Sequence, residues 1–277
     1  MSRLNMQYNP LWHTILQADF VQRAFIASVL ISVAAGVVGY FVITRKSTFA
    51  AHALAHIGLP GATGAVLLGI PVLWGMGIFS LLGALTIGTL GKKASDREVA
   101  TGSVLAFATA LGLYFSNLSS GAAKQMQSIL FGSVLTITND QLISFALLDC
   151  LLILVLALIF RPLLFSSLDE SVARAKGLPV TVLGIIFMVM MASVITVAVP
   201  AVGTLLIFAL VITPADTAMM LTQSPLRAIL MTVLLCLASM WGGLILSTMF
   251  DMPPSFVIVS ISVILWLLAK LYTRLHA

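Results

Sequence analysis

Charge is what this sequence has least of. Lys, Arg, Asp and Glu together make up 8% of its 277 residues, where a water-soluble globular domain carries about a quarter. Hydrophobic residues reach 60% and the mean hydropathy is +1.14. That balance excludes a soluble globule and places the chain in a lipid bilayer. Cysteine is nearly as scarce. Cys150 and Cys236 fall in separate apolar segments, which excludes a disulfide framework and a Cys-x-x-Cys redox or metal motif and leaves small buried hydrophobes as their reading. No Gly-x-x-x-x-Gly-Lys-Ser/Thr run occurs, so ATP has no phosphate-binding loop on this chain. The N-terminal stretch mixes Arg3, Asn5, Gln7, Asn9, Pro10 and His13 without an apolar h-region, so no signal peptide is expected and insertion relies on the first internal span.

What is present is long apolar runs. Stretches of about 20 apolar residues, each long enough to cross the hydrocarbon core, lie near 20–43, 49–69, 71–90, 99–117, 141–164, 180–199, 201–222, 228–249 and 255–271. They predict an all-α integral membrane protein, a polytopic bundle of about nine transmembrane helices forming a single domain over residues 1–277. The net charge of +5 and pI near 9.5 do not point to nucleic acid, because the basic residues sit in short clusters at the ends of the runs rather than in one stripe. With the N-terminus outside and the C-terminus in the cytoplasm, only Arg3, Arg23 and Lys124 of the 14 Lys and Arg residues stay outside. The positive-inside bias therefore selects that orientation. The segment 118–138 opens with polar residues and then runs too short to span, which predicts a re-entrant or outer-surface helix.

Two of the four histidines, His52 and His56, stand four residues apart in the apolar run Thr48-Phe-Ala-Ala-His-Ala-Leu-Ala-His-Ile-Gly-Leu-Pro-Gly61. One helical turn stacks positions i and i+4 on one face, so both imidazoles point into one volume. Polar pairs in hydrocarbon are expensive and mark substrate pathways, and this spacing suits a divalent metal. An intramembrane metalloprotease would need Glu directly after the first His; Ala53 stands there, so that enzyme is excluded. The thirteen Met residues scatter and read as packing. Gly64, Gly69, Gly83, Gly88, Gly242 and Gly243 read as close helix contacts.

The most polar connector is Arg161-Pro-Leu-Leu-Phe-Ser-Ser-Leu-Asp-Glu-Ser-Val-Ala-Arg-Ala-Lys-Gly-Leu-Pro179. Ser167 and Glu170 have capping-box spacing, Asp169 and Glu170 suit a helix N-terminus, Arg174 and Lys176 suit its C-terminus, and Gly177 with Pro179 stops it. A short amphipathic helix at about 167–177 is expected, either as a solvated connector or as a grip for a soluble partner.

At this point the chain resembles a known family: the membrane subunits of bacterial ABC importers for zinc, manganese and iron, the ABC-3 permeases. The family's second span carries a Gly-Asp-x-x-x-His-x-x-x-Pro-Gly pattern, similar to Ala51-His52-Ala-Leu-Ala-His56-Ile-Gly-Leu-Pro60-Gly61 here. Further blocks resemble the family in order: Asp96–Gly102, Leu130–Ser133, Leu168–Pro179, Val202–Ala215 and Phe250–Pro253. The resemblance implies a type II ABC importer permease in the bacterial cytoplasmic (inner) membrane, which binds no permanent cofactor and passes Mn, Zn or Fe ions. It implies that two permease subunits, alike or unlike, form the pathway as a dimer. It also implies that two separate ABC ATPase subunits grip coupling helices, here Asp169, Glu170, Arg174, Lys176 and Gly177, and that an extracytoplasmic metal-binding protein delivers the ion.

Two departures from the family pattern concern the site itself. His52 stands where the family carries Asp, and Asp216 in Pro214-Ala-Asp-Thr-Ala218 stands where the family reads Ala. His52 lies six residues beyond Lys46 and Asp216 six residues before Thr222, each about 9 Å into the membrane at 1.5 Å per residue. His52, His56 and Asp216 are thus expected to form a two-histidine, one-carboxylate metal site, with Asp149 and Asp251 as weaker candidates; the competing role for Asp216 is to satisfy broken backbone near Pro214 or to pair with another helix. A secondary transporter or channel driven by an ion gradient, without ATPases, is the alternative left by the residues alone.

Overall fold

The computed structural model of the chain describes residue 10 and residues 12–90, 94–132, 134–250 and 252–276, except the side chains at 94–96 and 205. Its helices are α1 (Trp12–Leu16), α2 (Asp19–Thr44), α3 (Thr48–Leu68), α4 (Val72–Leu90), α5 (Ala94–Leu118), α6 (Ser120–Phe131), α7 (Asn139–Leu168), α8 (Glu170–Ala175), α9 (Val180–Val202), α10 (Thr204–Leu221), α11 (Pro225–Phe250) and α12 (Pro254–His276), with a single 3₁₀ turn at Val134–Thr136. Among the described residues, eight helices are long and apolar enough to cross a membrane, and Leu206–Leu221 is a shorter apolar helix. These nine elements fall on the nine runs read from the sequence. The protein is a polytopic all-α membrane protein.

The chain forms two compact units. One comprises Met1–Tyr40, Ser133–Ala146 and Ala209–Ala277, the other Phe41–Gly132 and Leu147–Phe208. In the second unit α3 is the central element and packs on α4, α5, α6 and α9. Its Ala50, Ala53, Leu54, Ile57, Leu59 and Ala62 are all buried, as expected of a helix apolar on every side. Small residues allow the close approach. A Cβ on Gly61 would stand 2.1 Å from the Gly75 carbonyl oxygen of α4, and a Cβ on Gly75 would stand 2.1 Å from the Gly61 oxygen. On the α5 side Gly112 faces the Pro60 nitrogen, which has no hydrogen to donate.

The segment expected to form a re-entrant or outer-surface helix forms α6, capped by Ser119, whose hydroxyl accepts the Gly121 N–H at 3.1 Å. α6 lies against α3, α5 and α9. Its end rests on the α9–α10 junction through Gly132 and Gly203, both at positive φ (61° and 86°) and back to back, so that neither position accommodates a side chain.

In the first unit α11 packs on α1 and α12. The Cys236 thiol donates to the Leu210 carbonyl at 3.0 Å, and Gly36 admits Val233 while Gly243 admits Ile258. Two local expectations change. Cys150 is exposed rather than buried, because α7 turns a broad apolar face outward, with Leu147, Leu151, Leu154 and Leu158 exposed beside it. Gly69 makes no close helix contact; it ends α3 in the left-handed conformation at φ 68°, where its own N–H and that of Ile70 bond back to Val66 and Ala65.

Candidate functional site

α3 begins after a tight turn in which Lys46 takes φ 52°, the one non-glycine residue at positive φ among the described residues. From that start one turn of helix separates His52 from His56, and their rings meet edge to face with centroids 4.9 Å apart. Phe208 closes on His52 from another side, its ring centroid 4.8 Å away in the same edge-to-face arrangement. Nδ1 of His52 is buried and has no hydrogen-bond partner among the described residues. A buried ring nitrogen left unpaired is costly, and a lone pair free to bind is what a metal ligand requires. The two imidazoles thus stand side by side on one face of α3, with the His52 Nδ1 free to take a partner. Phe208 has no signature in the sequence, because a lone aromatic in an apolar run is indistinguishable from packing.

Asp216 lies on α10 in the other compact unit, where its Oδ2 accepts the Trp266 indole N–H at 2.7 Å. Lys270 sits over the same indole, 4.6 Å from the ring centroid. Trp266 therefore serves Asp216 with its edge and Lys270 with its face. Asp149 on α7 is 6% exposed, and its Oδ2 is buried without a partner among the described residues. Asp251 lies outside the described residues. Within either unit, among the described residues, no three His, Cys, Asp or Glu side chains gather tightly enough to hold a metal.

The polar connector does form a helix, but with a different start. Ser167 belongs to α7, its hydroxyl donating to the Leu163 carbonyl at 2.6 Å, so the capping-box reading is corrected. Asp169 is the N-cap: its Oδ1 accepts from the Ser171 hydroxyl at 2.6 Å and from the Ser171 and Val172 N–H groups at 2.9 and 3.0 Å. These bonds, the Ser171 hydroxyl first, hold its carboxyl below the usual carboxylate range. Glu170 pairs with Arg174 at 2.7 Å on the exposed side, Lys176 lies over the Phe165 ring, and Gly177 at φ 78° ends the element. The short helix α8 rests on α9 through the fully buried Ala173.

Nine apolar helical elements, a histidine pair within one of them and a capped polar helix between two others define a polytopic membrane transport protein. Residues 17–273 match the model of the ABC 3 transport family, and the chain belongs to that family. It is 30% identical over 94% of its length to the manganese transport system membrane protein MntC of Halalkalibacterium halodurans, of which it covers 89%. The manganese import system permease protein ScaB of Streptococcus gordonii is 31% identical, with 90% of each chain covered. Among solved structures, PsaBC from Streptococcus pneumoniae in complex with Fab superposes with a TM-score of 0.82 at 28% identity, over 93% of this chain and 94% of that one.

Proposed function

We propose that this chain is the permease subunit of an ATP-driven importer of a divalent transition metal, with manganese the first candidate and zinc and iron next. The observation that carries this is the His52–His56 pair on buried α3, with an unpaired ring nitrogen in a membrane span. The relatives named for manganese transport support the choice of ion. The metal is cargo rather than a resident cofactor. Imidazole nitrogens with a carboxylate suit borderline divalent ions, and an incomplete ligand set favours release over retention. A carboxylate is proposed as the third ligand, with Asp216 the first candidate by sequence and Asp149 and Asp251 the lesser ones. Two permease copies, alike or unlike, line the pathway, and two separate ATPases grip the α8 region through Asp169, Glu170, Arg174, Lys176 and Gly177. An external metal-binding protein feeds it, and the N-terminus is outside with the C-terminus in the cytoplasm of a bacterial inner-membrane protein.

The test is uptake of radioactive Mn²⁺ by cells expressing the complete transporter. His56→Ala lowers uptake about tenfold or more at equal membrane abundance, whereas His52→Asp, which restores the family residue, retains a substantial part of it. Unchanged uptake in His56→Ala removes the site. Uptake that persists without any ATPase partner replaces the importer with a gradient-driven carrier.

A further inference from the structure

At one end of the second unit a cavity of about 30 Å³ is lined by Arg45, Arg97, Glu170, Arg174, Thr181 and Gly184, among others. Its cations outnumber its anion. Glu170 is committed to Arg174 at 2.7 Å, and among the described residues no carboxylate lies within ion-pairing distance of Arg45 or Arg97. Arg45 instead donates through Nη1 to the Ser166 and Ser167 hydroxyls at 3.1 and 3.2 Å, and its guanidinium sits 5.7 Å from the centre of the Phe187 ring. The Arg45 guanidinium is pushed down to about 10, by burial first and then by the facing Arg97, with Glu170 opposing in part. Two partly buried guanidiniums beside one cavity, whose lining carboxylate Glu170 is paired with Arg174 and with no other carboxylate in ion-pairing distance among the described residues, are unfavourable unless an anion joins them. Arg45 directly follows the last residue of α2, Arg97 opens the apolar part of α5, and Thr181 and Gly184 lie in the first turns of α9. The cavity therefore sits where apolar spans end, at the depth of lipid phosphates.

We propose that the Arg45–Arg97 cavity is a phosphate-binding site, in which the two guanidinium forks hold one phosphate group at the end of the spans. Planar forks match phosphate oxygens in a bidentate manner, and the cavity admits a small oxyanion rather than a bulky ligand. The site is separate from the histidine pair and does not depend on the metal reading. Its phosphate is carried by an anionic lipid headgroup or arrives as the free ion. Both sources present the same oxygens.

The experiment is native mass spectrometry of the purified full-length protein, titrated separately with phosphatidylglycerol, with inorganic phosphate, and with phosphatidylcholine as reference. Wild type is expected to retain phosphatidylglycerol or phosphate above the reference. Arg97→Gln lowers that affinity about tenfold or more, and Lys46→Gln, which removes an equal charge from the neighbouring turn outside the cavity, lowers it about twofold or less at physiological salt. Preference for phosphatidylglycerol assigns the headgroup; preference for phosphate assigns the free ion. Equal losses in the two variants, or no retention above phosphatidylcholine, overturn the site. Should Arg97→Gln fail to purify, Arg97→Lys keeps the charge without the fork, and an affinity equal to wild type then overturns it.

Discussion

Replacing Gly61 by alanine drives a methyl group into the backbone of α4, 2.1 Å from the Gly75 carbonyl oxygen and within 2.9 Å of the Met76 nitrogen. Neither atom belongs to a side chain that can rotate away. Ordinary carbon–oxygen contact begins at about 3.4 Å, so α3 and α4 must part by over 1 Å locally. Overpacking of this kind costs typically 1–3 kcal/mol, and the rigidity of the obstacle puts it toward the upper end. The alanine regains about 0.5–1 kcal/mol of helix preference. The net loss is about 2 kcal/mol, or roughly 4–8 °C in unfolding midpoint by the scaling for chains of 150–250 residues. Gly77→Ala is the internal control: on α4, the helix that Gly61 approaches, its Cβ meets nothing nearer than a Thr196 methyl at 3.8 Å. It should leave the midpoint unchanged or raise it slightly. Unfolding followed by tryptophan fluorescence in one detergent compares the two directly. A Gly61→Ala midpoint at or above that of Gly77→Ala refutes the close-approach argument. Because Gly75→Ala creates the reciprocal clash, the double substitution should cost clearly less than the sum of the singles.

Two further outcomes follow from the polar contacts. Trp266→Phe removes the indole donor from the Asp216 carboxylate and is expected to lower stability by about 1–2 kcal/mol, read as a lowered unfolding midpoint; a midpoint equal to wild type shows that Asp216 finds another partner at no cost. At α8, Asp169→Ala should speed amide hydrogen exchange at Ser171 and Val172 near neutral pH. The Asp169 carboxyl titrates lower in the folded chain than in an unfolded one, so its stabilisation is fully present above the ordinary carboxylate pKa of about 3.9 and fades as pH falls through the lower folded value. Protection in wild type that faded already between pH 6 and 5 would contradict that sign.

Much of the architecture was legible in the runs of apolar residues, and the legible part was what one segment decides alone. Each of the nine runs became a helical element, and Gly177 ended α8 because a stop signal acts on its own backbone. The histidine pair was legible for the same reason, since i and i+4 share a face in any helix. The misread features were decided by neighbours. Ser167 had the spacing of a cap, yet α7 continued through it and left Asp169 the first free acceptor. Cys150 looked buried because its run is apolar, and hydropathy does not distinguish a face that meets protein from one that meets lipid. Gly69 looked like a contact glycine, but nothing packs there.

By itself, then, the sequence determined the solvent, the spans and the two imidazoles on one face, because hydrophobicity and helical periodicity are properties of a single segment. Only the tertiary structure decided which groups those segments present to one another. It set Phe208 against His52 and the Trp266 indole against Asp216. It also brought Arg45, Arg97 and Arg174 to the lining of one cavity with Glu170. Such pairings join residues far apart in the chain, and no local pattern encodes the packing that brings them together.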